Sequence, residues 1–319
     1  MDGNFRGLML ANGVSAIICS GSARLQGAPG ALQRRAGIAG ANEELPMRRI
    51  AASLACFLGA LVVAHTAAYA TGLESQWVDG HNSRARLISG GGIAGVELEL
   101  PEGWKTYWRY PGEAGGVAPA FDWSQSTNLE SAQVLYPAPK RFTDASGETI
   151  GYKGNVTFPV RLKPKDASKP IDLRVAFDYG VCKDICIPAQ AELALTVPPD
   201  ASASEDLMNA MARVPAPPDA RRETDPLVTG VVTELTGDKP RIVLRAEVPA
   251  GGDHVDAFVD APDGLYVPLP KKTADDGKGA VTFEVDLSKD VDIAALKGKK
   301  LSATIVSDKG QSEVPFTLQ

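Results

Sequence analysis

Cys182 and Cys186 stand in the run Tyr179-Gly-Val-Cys-Lys-Asp-Ile-Cys-Ile-Pro188 with three residues between them. Two thiols at that spacing can do three kinds of chemistry: exchange electrons as a dithiol/disulfide couple, hold a soft metal ion such as Cu(I), or close as a plain covalent staple. Lys183 between them would favour a thiolate by its charge, and Asp184 would oppose it. Both residue types also suit an ordinary solvated turn.

The chain has four cysteines in all, and a leader would reduce that number. Met47-Arg48-Arg49 is a basic start, Ile50 to Val63 is apolar and uncharged, and Ala68-Tyr69-Ala70 is a small-x-small cleavage site, the three parts of a secretory signal peptide. An anchor would need roughly 20 apolar residues, and this stretch falls short. Residues 1–46 precede that signal and read as an upstream misassigned start. Cleavage after Ala70 removes Cys19 and Cys56, leaving Cys182 and Cys186 as the whole thiol content of the exported protein. It also removes six of 33 basic and three of 39 acidic residues, so the net charge moves from −6 to −9. An acidic chain without a Lys/Arg cluster does not match nucleic acid, which requires a basic stripe. His81 and His254 are the histidines left, too few for His-rich metal cages or Ser-His-Asp catalysis.

Short alternating segments between Gly, Pro, Asn and Asp set the architecture. Segments 84–89, 95–100, 106–110, 134–136, 155–162, 173–179 and 193–197 predict a β-sandwich over residues 71–197. Residues 198–226 are rich in Pro and predict a linker with a short helix over Ser204 to Val214. Segments 230–235, 241–248, 255–259, 265–267, 280–285, 301–306 and 313–318 predict a second, smaller sandwich over residues 227–319. The fold class expected is therefore all-β, two immunoglobulin-like sandwiches joined by that linker.

The same alternation positions the cysteines. Leu173, Val175, Phe177 and Tyr179 share one strand face, and Ala191, Leu193, Leu195 and Val197 repeat the pattern on the return. An antiparallel pair of these strands sets Cys182 and Cys186 near its connection, where facing Cα atoms come within disulfide reach. Closing a loop of about five residues stabilises by only about 2 kcal/mol on the chain-entropy model. Trp104, Tyr107, Trp108 and Tyr110 are expected to pack in the core or at a sheet edge. Pro111 to Gly116 reads as a mobile loop, with no Gly-Lys-Ser/Thr to make it a phosphate cradle.

Four segments carry a resemblance: the cysteine run, Gly103-Trp-Lys-Thr-Tyr-Trp-Arg-Tyr-Pro-Gly112, Phe121-Asp-Trp123, and Gly151-Tyr-Lys-Gly-Asn-Val-Thr-Phe-Pro-Val160. Together they resemble the amino-terminal periplasmic domain of the thiol:disulfide interchange protein DsbD, in the variety of the copper-sensitivity suppressor ScsB group. The resemblance covers roughly residues 75–200. It implies an immunoglobulin-like domain in which Cys182 and Cys186 shuttle between dithiol and disulfide, Cys186 bonding to partners and Cys182 resolving. It further implies a cap over the disulfide near Arg141 to Gly147, with Phe142 as the cap residue. The activity implied is that of a protein-disulfide reductase component in the periplasm, with no cofactor. The partners implied are a membrane-embedded thiol electron donor and periplasmic thioredoxin-like proteins. Better-known DsbD domains separate their cysteines by a longer insertion. No run of about 20 apolar residues follows the leader, so this chain is not expected to span the membrane itself. Two other readings of the pair stay open: Cu(I) binding, with His254 as a third ligand, and a structural disulfide in a binding module.

Overall fold

Alternation of buried and exposed side chains builds this protein into strands throughout. A computed structural model of the chain describes residues 73–319 apart from 145, 146 and 251. The expected leader and the extension before it, with Cys19 and Cys56, lie outside the described residues. The described part falls within one compact unit, Ala67–Gln319.

In chain order the first sandwich consists of β1 (Val78–Gly80), β2 (Ser83–Gly90), β3 (Ile93–Glu99), β4 (Lys105–Tyr107), β5 (Ala120–Asp122) and β6 (Leu129–Val134), then β7 (Lys140–Asp144), β8 (Gly147–Lys153), β9 (Val156–Pro164), β10 (Ile171–Cys182) and β11 (Cys186–Val197). One sheet has the order β1-β2-β3-β9-β6; the other runs β11-β10-β4-β8-β7, with β5 also on β10. Between them Leu87, Val96, Phe158, Leu173, Phe177 and Tyr179 are wholly buried. Each such side chain stabilises by about 1.5–3 kcal/mol relative to an exposed one. Trp108, Ile150 and Val181 belong to the same core, so their neighbours Tyr107, Thr149 and Cys182 point to the opposite face of the sheet.

The second sandwich pairs a sheet of β12 (Leu227–Glu234), β13 (Arg241–Glu247), β15 (Lys271–Asp275) and β16 (Ala280–Asp286) with one of β14 (Asp256–Asp260), β17 (Lys300–Val306) and β18 (Gln311–Thr317). The expected strand at 265–267 is absent: Pro262–Gly264 forms a 3-10 turn and the chain continues irregularly past Val267. Pro268, lacking an amide donor, cannot continue a ladder there. The β7–β8 hairpin, by contrast, is a pair of strands that the alternation pattern does not announce.

Helix α1 (Glu205–Ala212) begins where Ser204 caps it, the side chain accepting from Leu207 N–H at 3.3 Å. Glu205 and Asp206 suit the positive end of its dipole. The segment around it is tied to both sandwiches. Ala138 N–H donates to Arg213 C=O at 2.8 Å, and Gln311 Nε2 donates to Ala212 C=O at 2.8 Å. A short helix α2 (Ile293–Leu296) lies between β16 and β17. Among the described residues no helix is long and apolar enough to cross a membrane.

Candidate redox site

Strands β10 and β11 pair without interruption from Ile171↔Val197 to Cys182↔Cys186. This register places the two cysteines directly opposite each other at the tip, with Cα atoms 4.2 Å apart, and a disulfide joins them. Lys183, Asp184 and Ile185 close the turn, where Lys183 N–H donates to Ile185 C=O at 3.2 Å. The two sulfurs sit in different surroundings. Cys182 is wholly buried, whereas Cys186 is exposed beside Ile185, which has 66% of its surface open to solvent.

Strand β4 supplies the wall over the buried sulfur. Lys105 is the ladder partner of Cys182, and Thr106, facing inward, donates its hydroxyl to Gly180 C=O at 2.8 Å, which fixes β4 against β10. Tyr107 then lies on the cysteine side of the sheet, its Oη 2.8 Å from Sγ of Cys182 and 2.8 Å from Sγ of Cys186. Disulfide sulfurs have no hydrogen, so the phenol O–H is the donor. Two glycines admit the ring. A Cβ on Gly180 would stand 3.0 Å from Tyr107 Cε2, and one on Gly116, whose φ is +147°, would overlap the ring. Lys105 is buried on the same face and donates from Nζ to Thr149 Oγ1 at 3.0 Å.

Residues 81–198 match the family of thiol:disulfide interchange protein DsbD, N-terminal. That stretch contains both cysteines, Tyr107 and the whole β10–β11 hairpin. Over residues 81–198 the chain resembles the amino-terminal domain of DsbD. The crystal structure of the N-terminal periplasmic domain of ScsB from Proteus mirabilis is similar at 25% identity with a TM-score of 0.58, over 78% of this chain and 99% of that one. A match of that extent reaches past residues 81–198 into the second sandwich. No curated protein matches the chain.

The residues singled out from sequence are not all at the sulfurs. Lys183 and Asp184 are exposed in the turn between the cysteines, and Lys183 reaches back over Gly103. Phe142 lies on β7, on the same sheet face as Cys182 but separated from β10 by β4 and β8. Its ring carries Lys153 Nζ 4.6 Å from the centroid. His254 lies on the second sandwich, its Nδ1 2.8 Å from Asp308 Oδ2. That hydrogen bond, followed by the Asp308 charge, raises the pKa of the imidazole. Among the described residues, no group of three or more His, Cys, Asp or Glu side chains gathers as a metal site.

Tyr107 is the site residue that sequence reasoning missed, having been counted with the packing aromatics. A signal for it was available. In Lys105-Thr-Tyr-Trp-Arg109 only one of two adjacent aromatics can face the core of a strand, so the other is left on the outer face of its sheet.

Proposed function

We propose that this chain is a periplasmic thiol:disulfide interchange module, passing an electron pair through Cys182–Cys186 from a membrane-embedded thiol donor to thioredoxin-like clients. The observation that carries the reading is the asymmetry of the pair: an exposed Cys186, a buried Cys182, and one phenol bonded to both sulfurs, in a domain that resembles that of DsbD. A donor thiolate attacks the open Cys186 Sγ, the Sγ–Sγ bond breaks, and Cys182 leaves as a thiolate beside the Tyr107 hydroxyl. The donor's second thiol then attacks the mixed disulfide, releasing Cys186 as a thiolate and leaving the donor oxidised. Two electrons have reached the module, and its two sulfurs take up two protons. Forward transfer reverses the roles: the Cys186 thiolate attacks a client disulfide, and Cys182 resolves the mixed disulfide to regenerate the Cys182–Cys186 bond.

Burial disfavours a charged sulfur at Cys182, so a hydrogen-bond donor there lowers the barrier to its departure. In this reading Tyr107, not Phe142, covers the disulfide, while Lys183 and Asp184 bias the charge at the open end of the pair. A leader cleaved after Ala70 delivers the chain to the periplasm.

The test is the reduction potential of the pair together with partner trapping by Cys182→Ala. An interchange module shows a potential accessible to thioredoxin-like proteins and a covalent adduct through Cys186. A potential well below about −300 mV with no adduct would establish a structural staple instead.

A further inference from the structure

Residues Arg109 to Val117 have contacts in both sandwiches. At one end the Arg109 guanidinium forks onto Asp260, Nε to Oδ2 at 3.0 Å and Nη2 to Oδ1 at 2.8 Å, and also bonds Glu313. Tyr110 O–H donates to Val267 C=O at 2.6 Å, and the Glu113 carboxylate accepts from Leu269 N–H at 3.1 Å. All of these partners belong to the second sandwich. At the other end the segment rests on the first sandwich. Ile150 N–H donates to Pro111 C=O at 2.8 Å, Ala114 N–H donates to Glu148 C=O at 3.2 Å, and Gly116 lies so close to the Tyr107 ring that a Cβ there would overlap it. Val117 borders Gly180 beside that ring.

We propose that the second sandwich sets how fast the Cys182–Cys186 bond reacts, by holding the Pro111–Val117 loop down on Tyr107, with Arg109 and Glu113 as positioning residues. The proposal rests on the interchange reading of the pair. Gly112, Gly115 and Gly116 give this loop much conformational freedom to lose on ordering. The bonds at Arg109, Tyr110 and Glu113 fix its entry and its middle, and so offset that cost. Burial alone would lower the Arg109 pKa, but the Asp260 and Glu313 carboxylates outweigh it and raise the value, so the clamp stays charged. If the loop lifts, Tyr107 loses the wall formed by Gly116, and its hydroxyl no longer stays on both sulfurs. Attack at the open Cys186 is then no easier, whereas departure of the buried Cys182 thiolate is harder. Reduction therefore slows.

The experiment measures dithiothreitol reduction of the full chain by thiol quenching, in Glu113→Ala, Asp260→Asn, Tyr107→Phe and the doubles of each interface variant with Tyr107→Phe. Each interface variant is expected to slow reduction at least threefold and to speed amide exchange over residues 114–117. In the Tyr107→Phe background the interface variants should have no further effect, which is the non-additivity expected of residues acting through one group. Glu113→Ala removes a single loop bond, so it remains informative if Asp260→Asn weakens the fold. Wild-type rates in both interface variants, or effects that simply add to Tyr107→Phe, would overturn the proposal. Because dithiothreitol replaces every partner, this outcome is independent of whether a client adduct forms through Cys186.

Discussion

The two sandwiches each carry a long antiparallel hairpin, and the hairpins are closed by different chemistry. In the second sandwich β17 and β18 pair from Lys300↔Thr317 to Val306↔Gln311, and a four-residue turn follows. Ser307 N–H and Oγ both donate to Gly310 C=O, at 2.9 and 3.2 Å. The buried Asp225 carboxylate accepts from Gln311 N–H at 3.2 Å. Polar contacts suffice to hold that turn. In the first sandwich the β10–β11 ladder is longer, twelve residues on each strand, and still ends in a disulfide. A hairpin with that much pairing has the least need of a covalent tip. The comparison teaches that pairing alone can hold a hairpin of this length, which favours the interchange reading of the disulfide over the staple.

Changing both cysteines to Ser separates the two roles most sharply. Thiol exchange with any partner should fall to background, while the fold loses only about 2 kcal/mol, the chain-entropy value for a five-residue loop. Urea unfolding of both proteins checks this. A loss of about 5 kcal/mol would make the disulfide a structural element after all.

Asp225→Asn applies the same question to the other turn. Burial pushes the Asp225 carboxyl pKa up, but the Arg222 guanidinium and the amides of Arg222 and Gln311 outweigh it and hold the value below the usual carboxylate range. A depressed folded pKa contributes stability that is present above the unfolded value of about 3.9 and is lost as pH falls through the folded one. The Asn variant should therefore be about 2 kcal/mol less stable at pH 7, with the gap closing toward pH 2. Unfolding midpoints measured across that range test the sign. A gap that does not change with pH would show that the Asp225 charge does not anchor the turn.

Alternation made the sandwiches and the hairpin legible before any coordinates. Leu173, Val175, Phe177 and Tyr179 can be buried together only on a strand, and their return partners fix the register that brings Cys182 opposite Cys186. Helix α1 was legible from Ser204 followed by Glu205 and Asp206, a capping pattern that local chemistry decides. What stayed hidden depends on contacts between distant segments. Tyr107 reaches the sulfurs because β4 inserts between β10 and β8, an adjacency that no local pattern encodes. Arg109, in the expected strand 106–110, and Glu113, in the expected loop, gave no signal because their partners, Asp260 and Leu269, lie about 150 residues away. Phe142 shows the reverse case. It has the right residue type and the right sheet face, but β4 and β8 separate its strand from β10.

Tyr107→Phe gives the finest discrimination between the hairpins, because it deletes one oxygen and leaves the ring between Gly116 and Gly180. At the β17–β18 turn the Ser307 hydroxyl serves shape alone, and losing such a bond costs stability. At the β10–β11 tip the Tyr107 hydroxyl touches both sulfurs, so under the proposed interchange its loss should appear in rate. A hydrogen bond to a charged group is worth about 1.5–3 kcal/mol, of which the leaving thiolate develops a part in the transition state. Taking about 1.4 kcal/mol for that part, reduction by dithiothreitol should slow about tenfold. The unfolding midpoint should move little, since the disulfide itself accepts only a weak hydrogen bond through sulfur. Equal rates for Tyr107→Phe and wild type would reduce the phenol to packing, and the asymmetry between Cys182 and Cys186 would then rest on exposure alone.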